Sequence, residues 1–241
     1  MSDNLSSMFV AGLAQLGLDG QDPLLVEQFI LYRNALLEWN ARFNLTAITD
    51  PEEVLLKHFL DSLALLTVYD RPEVCLLDIG SGAGFPGLPL KIARPQWRVT
   101  LLEATGKKVT FLRHVIETLQ LEQIEVVQGR AEEIAHKQEY RATFDVVTAR
   151  AVSSLPNLLE CCAPYCRVGG SIILPKKGEL EDELAQGRRA AAQVGAALKA
   201  DVPVALPGLD DGRRLLVWEQ KKLCPAQYPR SWAAMTKRAL R

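Results

Sequence analysis

The sequence predicts an α/β protein with a central, mostly parallel sheet of seven strands, a C-terminal antiparallel hairpin at one edge and an N-terminal helical lobe. Three observations lead there. Residues 1–72 carry apolar side chains at helical spacing with no β pattern. Beyond Arg71-Pro72, short apolar runs with almost no alternation recur between helix-patterned segments, as strands buried on both faces do. The last two runs flank the turn-rich Pro207-Gly208-Leu209-Asp210-Asp211-Gly212 and read as a hairpin closing the sheet.

The elements follow in order. Asp22-Pro23 is an N-cap followed by proline at the first helical position, and Leu24, Leu25, Phe29, Leu31, Tyr32, Leu36 and Trp39 form the stripe behind it. Asn40 to Asn44 break that pattern. Asp50-Pro51-Glu52-Glu53 repeats the cap and opens a helix through Leu55, Leu56, Phe59, Leu63 and Leu66. The strand runs are 74–79, 98–102, 124–127, 144–148 and 171–174, with a helix over 106–119 between the second and third. A polar, alanine-rich helix is predicted over 179–198, and the hairpin strands over 202–206 and 215–219. The expected organisation is a helical lobe at 1–72, a ligand-binding domain at 73–220 and a basic tail at 221–241, extended over the surface because Pro225 and Pro229 flank a stretch without a helical stripe.

Composition narrows the class. The chain has 241 residues, 28 basic and 29 acidic, and 48% are hydrophobic, which disfavours disorder and small disulfide scaffolds. No apolar run approaches the 18 residues of a membrane span, and Met1-Ser2-Asp3-Asn4-Leu5 lacks the basic start of a secretory signal, so a cytoplasmic protein without membrane contact is expected. The five cysteines and three histidines form no ligand spacing for a metal, and none is expected. Charge is uneven: residues 1–72 hold 4 basic and 10 acidic residues, whereas 212–241 hold 8 basic and 1 acidic. That basic end suits a polyanion.

The most informative stretch is Asp78-Ile79-Gly80-Ser81-Gly82-Ala83-Gly84-Phe85-Pro86-Gly87, between the first buried strand and a helix. Its glycines let the backbone turn sharply and lie against a ligand at the carboxyl end of the sheet. Two frames overlap. Gly82-x-Gly84-x-x-Gly87 has the form of a dinucleotide loop. Asp78-x-Gly80-x-Gly82-x-Gly84 has the form found in S-adenosylmethionine methyltransferases, where the Asp78 carboxylate can face the amino group of a methionine moiety. Glu103, at the end of the second strand, suits a ribose diol in either cofactor.

Further motifs resemble one family. Gly80-Ser81-Gly82-Ala83-Gly84-Phe85-Pro86-Gly87 with Pro89-Leu90 is similar to the loop of the bacterial GidB/RsmG family. Upstream, Trp39-Asn40-Ala41-Arg42-Phe43-Asn44-Leu45-Thr46 and His58-Phe59-Leu60-Asp61-Ser62 resemble its helical part. Downstream, Gly106-Lys107-Lys108-Val109, Gly129-Arg130-Ala131-Glu132, Thr148-Ala149-Arg150-Ala151 and Lys177-Gly178 follow in the family's order. Tyr228-Pro229-Arg230 resembles its longer tails, although the glycine-proline that usually follows is absent.

The resemblance implies a Rossmann-like, class I S-adenosylmethionine-dependent fold. It also implies methylation of 16S ribosomal RNA at N7 of a guanine, guanine-527, with free RNA or the small-subunit particle as partner and no obligate protein partner. By the same resemblance, Gly80 and Phe85 contact the cofactor on the first loop, to which the glycine frame adds Asp78, Gly82 and Gly84, and Glu103, Ala104 and Thr105 match the ribose and adenine side. Ala131 and Glu132 line the adenine, and Arg150 sits at the methionine end. Guanine N7 carries no proton, so no general base is needed, and Arg150 is the candidate catalytic residue, acting electrostatically. His58 and Asp61, three apart, can share a helix face at the opening. Candidate RNA-binding residues are Arg42, His58, Lys107, Lys108, Arg130, Lys176, Lys177, Arg230, Lys237 and Arg238, with Tyr228 and Trp232 offering stacking surfaces. Every proposed cofactor residue lies between Asp78 and Arg150, so the tail is expected to add RNA affinity and leave cofactor affinity alone. A noncatalytic RNA-binding or ribosome-assembly protein and an NAD-dependent oxidoreductase are the competing readings.

Overall fold

The computed structural model describes residues 5–150, 153–209 and 211–240. Ala151, Asp210 and residues 1–4, named above, and the last residue of the tail lie outside the described residues.

Seven strands form one sheet: β1 (Cys75–Ile79), β2 (Arg98–Glu103), β3 (Ile124–Gln128), β4 (Phe144–Ala149), β5 (Cys166–Lys177), β6 (Ala196–Pro203) and β7 (Arg213–Gln220). Their order is β3-β2-β1-β4-β5-β7-β6. The first five pair in parallel, and β7 enters antiparallel between β5 and β6. The chain leaves β1 toward β2 and β3, then returns to build outward from β4, so the strand order reverses between β1 and β4. Ligands bind at such a reversal, outside the carboxyl ends of the strands.

Ten α-helices surround the sheet among the described residues: α1 (Ser7–Gln15), α2 (Pro23–Phe43), α3 (Pro51–Val54), α4 (Asp61–Leu63), α5 (Gly87–Ala93), α6 (Gly106–Thr118), α7 (Ala131–Ile134), α8 (Leu155–Cys162), α9 (Glu181–Val194) and α10 (Trp232–Lys237). The caps read in the sequence form. The Asp22 carboxylate accepts from Leu24 N–H, and the Asp50 carboxylate from Glu52 and Glu53 N–H. The helix opened by Asp50 loosens into a π-helical turn, Leu55–Leu60, and ends as a 3-10 turn, Ala64–Thr67.

Period-two alternation divides the core. Leu76, Leu101, Val146 and Ile173 face the N-terminal helices, in one cluster with Phe9, Phe29, Tyr32, Leu36 and Phe59. Leu77, Leu102, Val147 and Ile172 face the other way, toward Leu155, Leu159, Ala190, Val194 and Trp218. The residues of the N-terminal helices thus share a core with one sheet face. Burial of both faces explains the unalternating runs of β1, β2, β4 and β5, while the edge strand β3 is only partly buried.

Three local expectations are corrected. The helix predicted to reach 198 stops at Val194, because Gly195 takes φ +82° as a left-handed cap and Ala196 begins β6. The strand read as 171–174 extends through Lys176 and Lys177. They sit in β5, opposite Arg214 and Arg213 of β7. The tail is not wholly extended: Ser231 caps α10, and Met235 is fully buried.

Candidate active site at the carboxyl edge of the sheet

The loop after β1 is tied down through its backbone. Gly80 and Ser81 N–H donate to the Leu102 carbonyl at the end of β2. Gly82 N–H donates to Glu103 Oε2 at 2.9 Å, and Thr105 N–H donates to Glu103 Oε1 at 2.8 Å. One carboxylate therefore joins the first loop to the second. Gly80 and Gly82 have φ of +68° and +61°, the left-handed region that glycine occupies without strain. A Cβ on Gly82 would meet only Gly80 O, at 3.8 Å, and would otherwise project into open space. Gly84 differs: a Cβ there would strike Leu88 and stand 2.6 Å from the Tyr32 hydroxyl. That hydroxyl donates to Ala83 O and braces the loop from α2.

Below the loop lies Asp78, fully buried. Its Oδ2 accepts from Gly87 N–H at 2.9 Å, and its Oδ1 has no hydrogen-bond partner. Burial pushes its carboxyl up to about 7, against the pull of the Gly87 N–H.

Above the loop is a cavity of about 460 Å³. Gly80, Gly82, Phe85, Glu103, Ala104, Ala131, Glu132 and Arg150 line it, together with Lys108, Arg130 and His58. The sequence reading also placed Asp78, Gly84 and Thr105 at the ligand; none of the three is on the wall. Asp78 supports the loop from below, Gly84 makes room for packing, and Thr105 bonds Glu103 through its backbone.

One end of the cavity is polar and tightly built. Arg150, at the end of β4, donates to Asp61 Oδ2 at 2.9 Å, and its guanidinium lies 4.8 Å from the Phe85 ring centre. The His58 ring stacks on Phe85 at 4.4 Å between centroids. Arg150 Nη2 stands 3.2 Å from His58 Nδ1, and because arginine only donates, Nδ1 accepts. The proton is then on Nε2, which donates to Thr46 Oγ1 at 2.7 Å. Burial, with the Arg150 charge, depresses His58 to about 3, so the ring is neutral. Asp61 also binds Arg213 at 2.9 Å, so one buried carboxylate holds two arginines. A second cavity of about 400 Å³ lies across this cluster, sharing His58 and Arg150 and lined by Lys57, Lys176, Lys177, Arg213 and Arg214.

The other end is less polar, with Ala131, Leu158, Cys161 and Trp232 on its walls. Sequence reasoning missed Thr46, Ser153, Asn157, Leu158 and Cys161 as cavity residues, and had assigned Trp232 to RNA. Thr46 lay within a quoted motif. Leu158 and Cys161 carry only a helical stripe, which does not distinguish a cavity wall from a core.

The RNA-binding candidates divide. Arg230 is withdrawn: its N–H and guanidinium bond both oxygens of Glu160, whose side chain is 0% exposed. Lys176 is 15% exposed and bonds Glu183 and the Ser153 carbonyl. Lys107 donates to Phe43 O, and Lys177 pairs with Asp211. His58 is a neutral wall residue rather than a cation. Arg42 and Arg130 are largely exposed despite ion pairs, and Lys237 and Arg238 are exposed.

The cavity fits S-adenosylmethionine. Position 82 admits a ligand where a side chain would intrude, Glu103 offers a carboxylate for a ribose diol, and the cationic and apolar ends suit methionine and adenine.

Comparison with known proteins agrees. A solved S-adenosylmethionine-dependent methyltransferase from Aquifex aeolicus superposes with a TM-score of 0.55 at 16% identity, covering 73% of this chain and 97% of that one, which establishes the common fold. The ribosomal RNA small subunit methyltransferase G of Lachnoclostridium phytofermentans is 44% identical over 96% of this chain and 95% of its own length. The protein of that name from Roseiflexus sp. strain RS-1 is 44% identical over 91% of this chain and 93% of its own. The model of the family described as rRNA small subunit methyltransferase G, GidB, matches residues 25–208, and the chain belongs to that family.

Proposed function

We propose that the protein transfers the methyl group of S-adenosylmethionine to N7 of a guanine in small-subunit ribosomal RNA, guanine-527 of the 16S molecule. The observation that carries this reading is one cavity with the glycine loop and Glu103 on one wall and the Arg150–His58–Phe85 cluster at its end. When bound, S-adenosylmethionine supplies an electrophilic methyl group on a sulfonium. Gly80 and Gly82 offer close backbone approach, Glu103 binds the ribose, and Ala131 and Glu132 flank the adenine.

Arg150 holds the methionine carboxylate, its fork aimed by Asp61. Guanine N7 has a free lone pair, so no residue would have to remove a proton before the N7–methyl bond formed as the sulfur–methyl bond broke, leaving the thioether S-adenosylhomocysteine and the positive charge on the purine. The site accordingly acts through alignment and electrostatics. His58, neutral and donating to Thr46, keeps the Arg150 side chain and the Phe85 ring in place and takes up no proton near neutrality. Lys108, Arg130, Arg42, Lys237 and Arg238 attract phosphates of free RNA or the small-subunit particle. No helix among the described residues is long and apolar enough to cross a membrane, which fits work in the cytoplasm.

The test is methyl transfer from labelled S-adenosylmethionine to unmodified small-subunit RNA and to particles lacking the modification, with the base mapped. Label at N7 of one guanine is expected. Cofactor binding without transfer to either substrate would favour the noncatalytic reading.

A further inference from the structure

We infer that Trp232, in the C-terminal helix, forms the wall over the adenine of S-adenosylmethionine, so that the tail is part of the cofactor site. The inference rests on the cofactor reading above and adds a residue lying 82 positions beyond Arg150.

The indole lines the same cavity as Leu158, Cys161 and the start of α7, and its helix meets Cys161 through Met235. It is not what anchors its helix. Met235, three residues on, is fully buried, with its sulfur 3.9 Å from that of Cys161 in α8. Arg230 grips the buried Glu160 of α8, and His136 Nε2 stands 3.0 Å from Pro229 O. Arg141 donates to the carbonyls of Cys224, Pro225 and Tyr228. Four side chains of the fold thus fix the approach to α10, and Trp232 itself is only half-buried.

The chemistry of this end selects its occupant. The Arg150–Asp61 ion pair and the neutral His58 ring gather at the far end. Here the walls are Ala131, Leu158 and Cys161, the last a neutral thiol because burial pushes it up to about 12, with the Glu132 carboxylate as the charged group of the wall near Cys161. A flat, largely apolar heteroaromatic ring belongs at this end, and an indole stacks on such a ring.

The experiment is calorimetric titration of the full chain with S-adenosylhomocysteine and with 5′-methylthioadenosine, which has the adenosine but no amino-acid end. Trp232→Ala is expected to weaken both by the same factor, about tenfold. Trp232→Phe should stay within about twofold of the parent, because a phenyl ring also stacks. Binding should also change the indole emission of the parent, and Trp232→Phe should abolish that change, since Trp97 and Trp218 are fully buried and the half-buried Trp39 packs on Phe43, Phe111 and His114, off the cavity wall. Parent-like affinity of Trp232→Ala for both ligands, or a loss confined to S-adenosylhomocysteine, would overturn the assignment. Should Trp232→Ala fail to fold, an unchanged ligand response of emission in Trp232→Phe would overturn it alone. A parent protein that binds neither ligand would instead overturn the cofactor reading.

Discussion

The loop Asp78–Gly87 and the tail 221–240 meet the same cavity and are built in opposite ways. The loop carries its own geometry. Gly80, Gly82 and Gly84 occupy left-handed conformations, and the loop's bonds run to Asp78 at its own base and to the neighbouring strand end at Leu102 and Glu103, with the Tyr32 hydroxyl as a brace from further away. The tail carries almost none. Its path is set by Glu160, Arg141 and His136, which lie 70 to 93 residues earlier in the chain. A region held by its own backbone announces its function in the sequence. A region held by distant side chains announces only its charge, and that charge misleads where the cations are already spent on the fold.

The largest expected effect lies in the loop. Gly82→Val should abolish measurable S-adenosylhomocysteine binding, because its side chain would fill the space the ligand needs. The strain of a β-branched residue at φ +61° should cost roughly 1–3 kcal/mol of stability, checked by denaturant unfolding. Near-normal affinity in the folded variant would break the contrast, since the loop would then only turn the chain.

Next comes the buried carboxyl beneath it. The Asp78 carboxyl sits at about 7 in the fold and near 3.8 when unfolded. Between those values the folded state binds the extra proton, so the group erodes stability as pH rises from about 4 through 7 and levels off above. A shift of that size corresponds to at most about 4 kcal/mol. Asp78→Asn should therefore gain on the parent across this window, checked by unfolding at pH 5 and pH 8. A constant difference would mean that Asp78 stays charged under the loop.

The tail should respond through stability first. Arg230→Ala leaves the buried Glu160 unpaired and should lower stability by about 3 kcal/mol, measured by chemical denaturation. Cofactor affinity should fall as well if α10 loosens. A stable variant with normal affinity would detach the tail from the site and restore the simpler picture of a surface appendage.

The smallest effect concerns the exposed cations. Replacing Lys237 and Arg238 by alanine should leave the melting temperature nearly unchanged and weaken RNA binding at low salt. Each lost phosphate contact should reduce the salt slope by about 1. Replacement of Lys107 and Lys176, which bond Phe43 O, Glu183 and Ser153 O, should instead lower stability with less change in that slope.

What was legible in the sequence was whatever local physics enforces. Apolar runs without alternation marked β1, β2, β4 and β5, because strands covered on both faces have no polar side to show, whereas β3, at the sheet edge, is only partly buried. Asp22 and Asp50 marked helix starts because a cap satisfies N–H groups only two or three residues away. The glycine loop marked the ligand site because only glycine enters the left-handed region freely. His58 and Asp61 could be paired on one helix face because their spacing is local, and Arg150 could be placed at the strand edge.

Only the tertiary structure decided the rest. That Asp61 binds two arginines from β4 and β7, that Glu160 takes Arg230 out of the RNA-binding set, and that Trp232 reaches the cofactor cavity all depend on residues far apart in the chain. Asp78 and Gly84 were drawn to the ligand by their motif, yet they serve the loop from behind. The physical reason is the same in each case. Spacing along a chain fixes which side chains share a helix or strand face, but a charge or an aromatic ring takes its role from the partner that folding brings within about 3 to 4 Å of it.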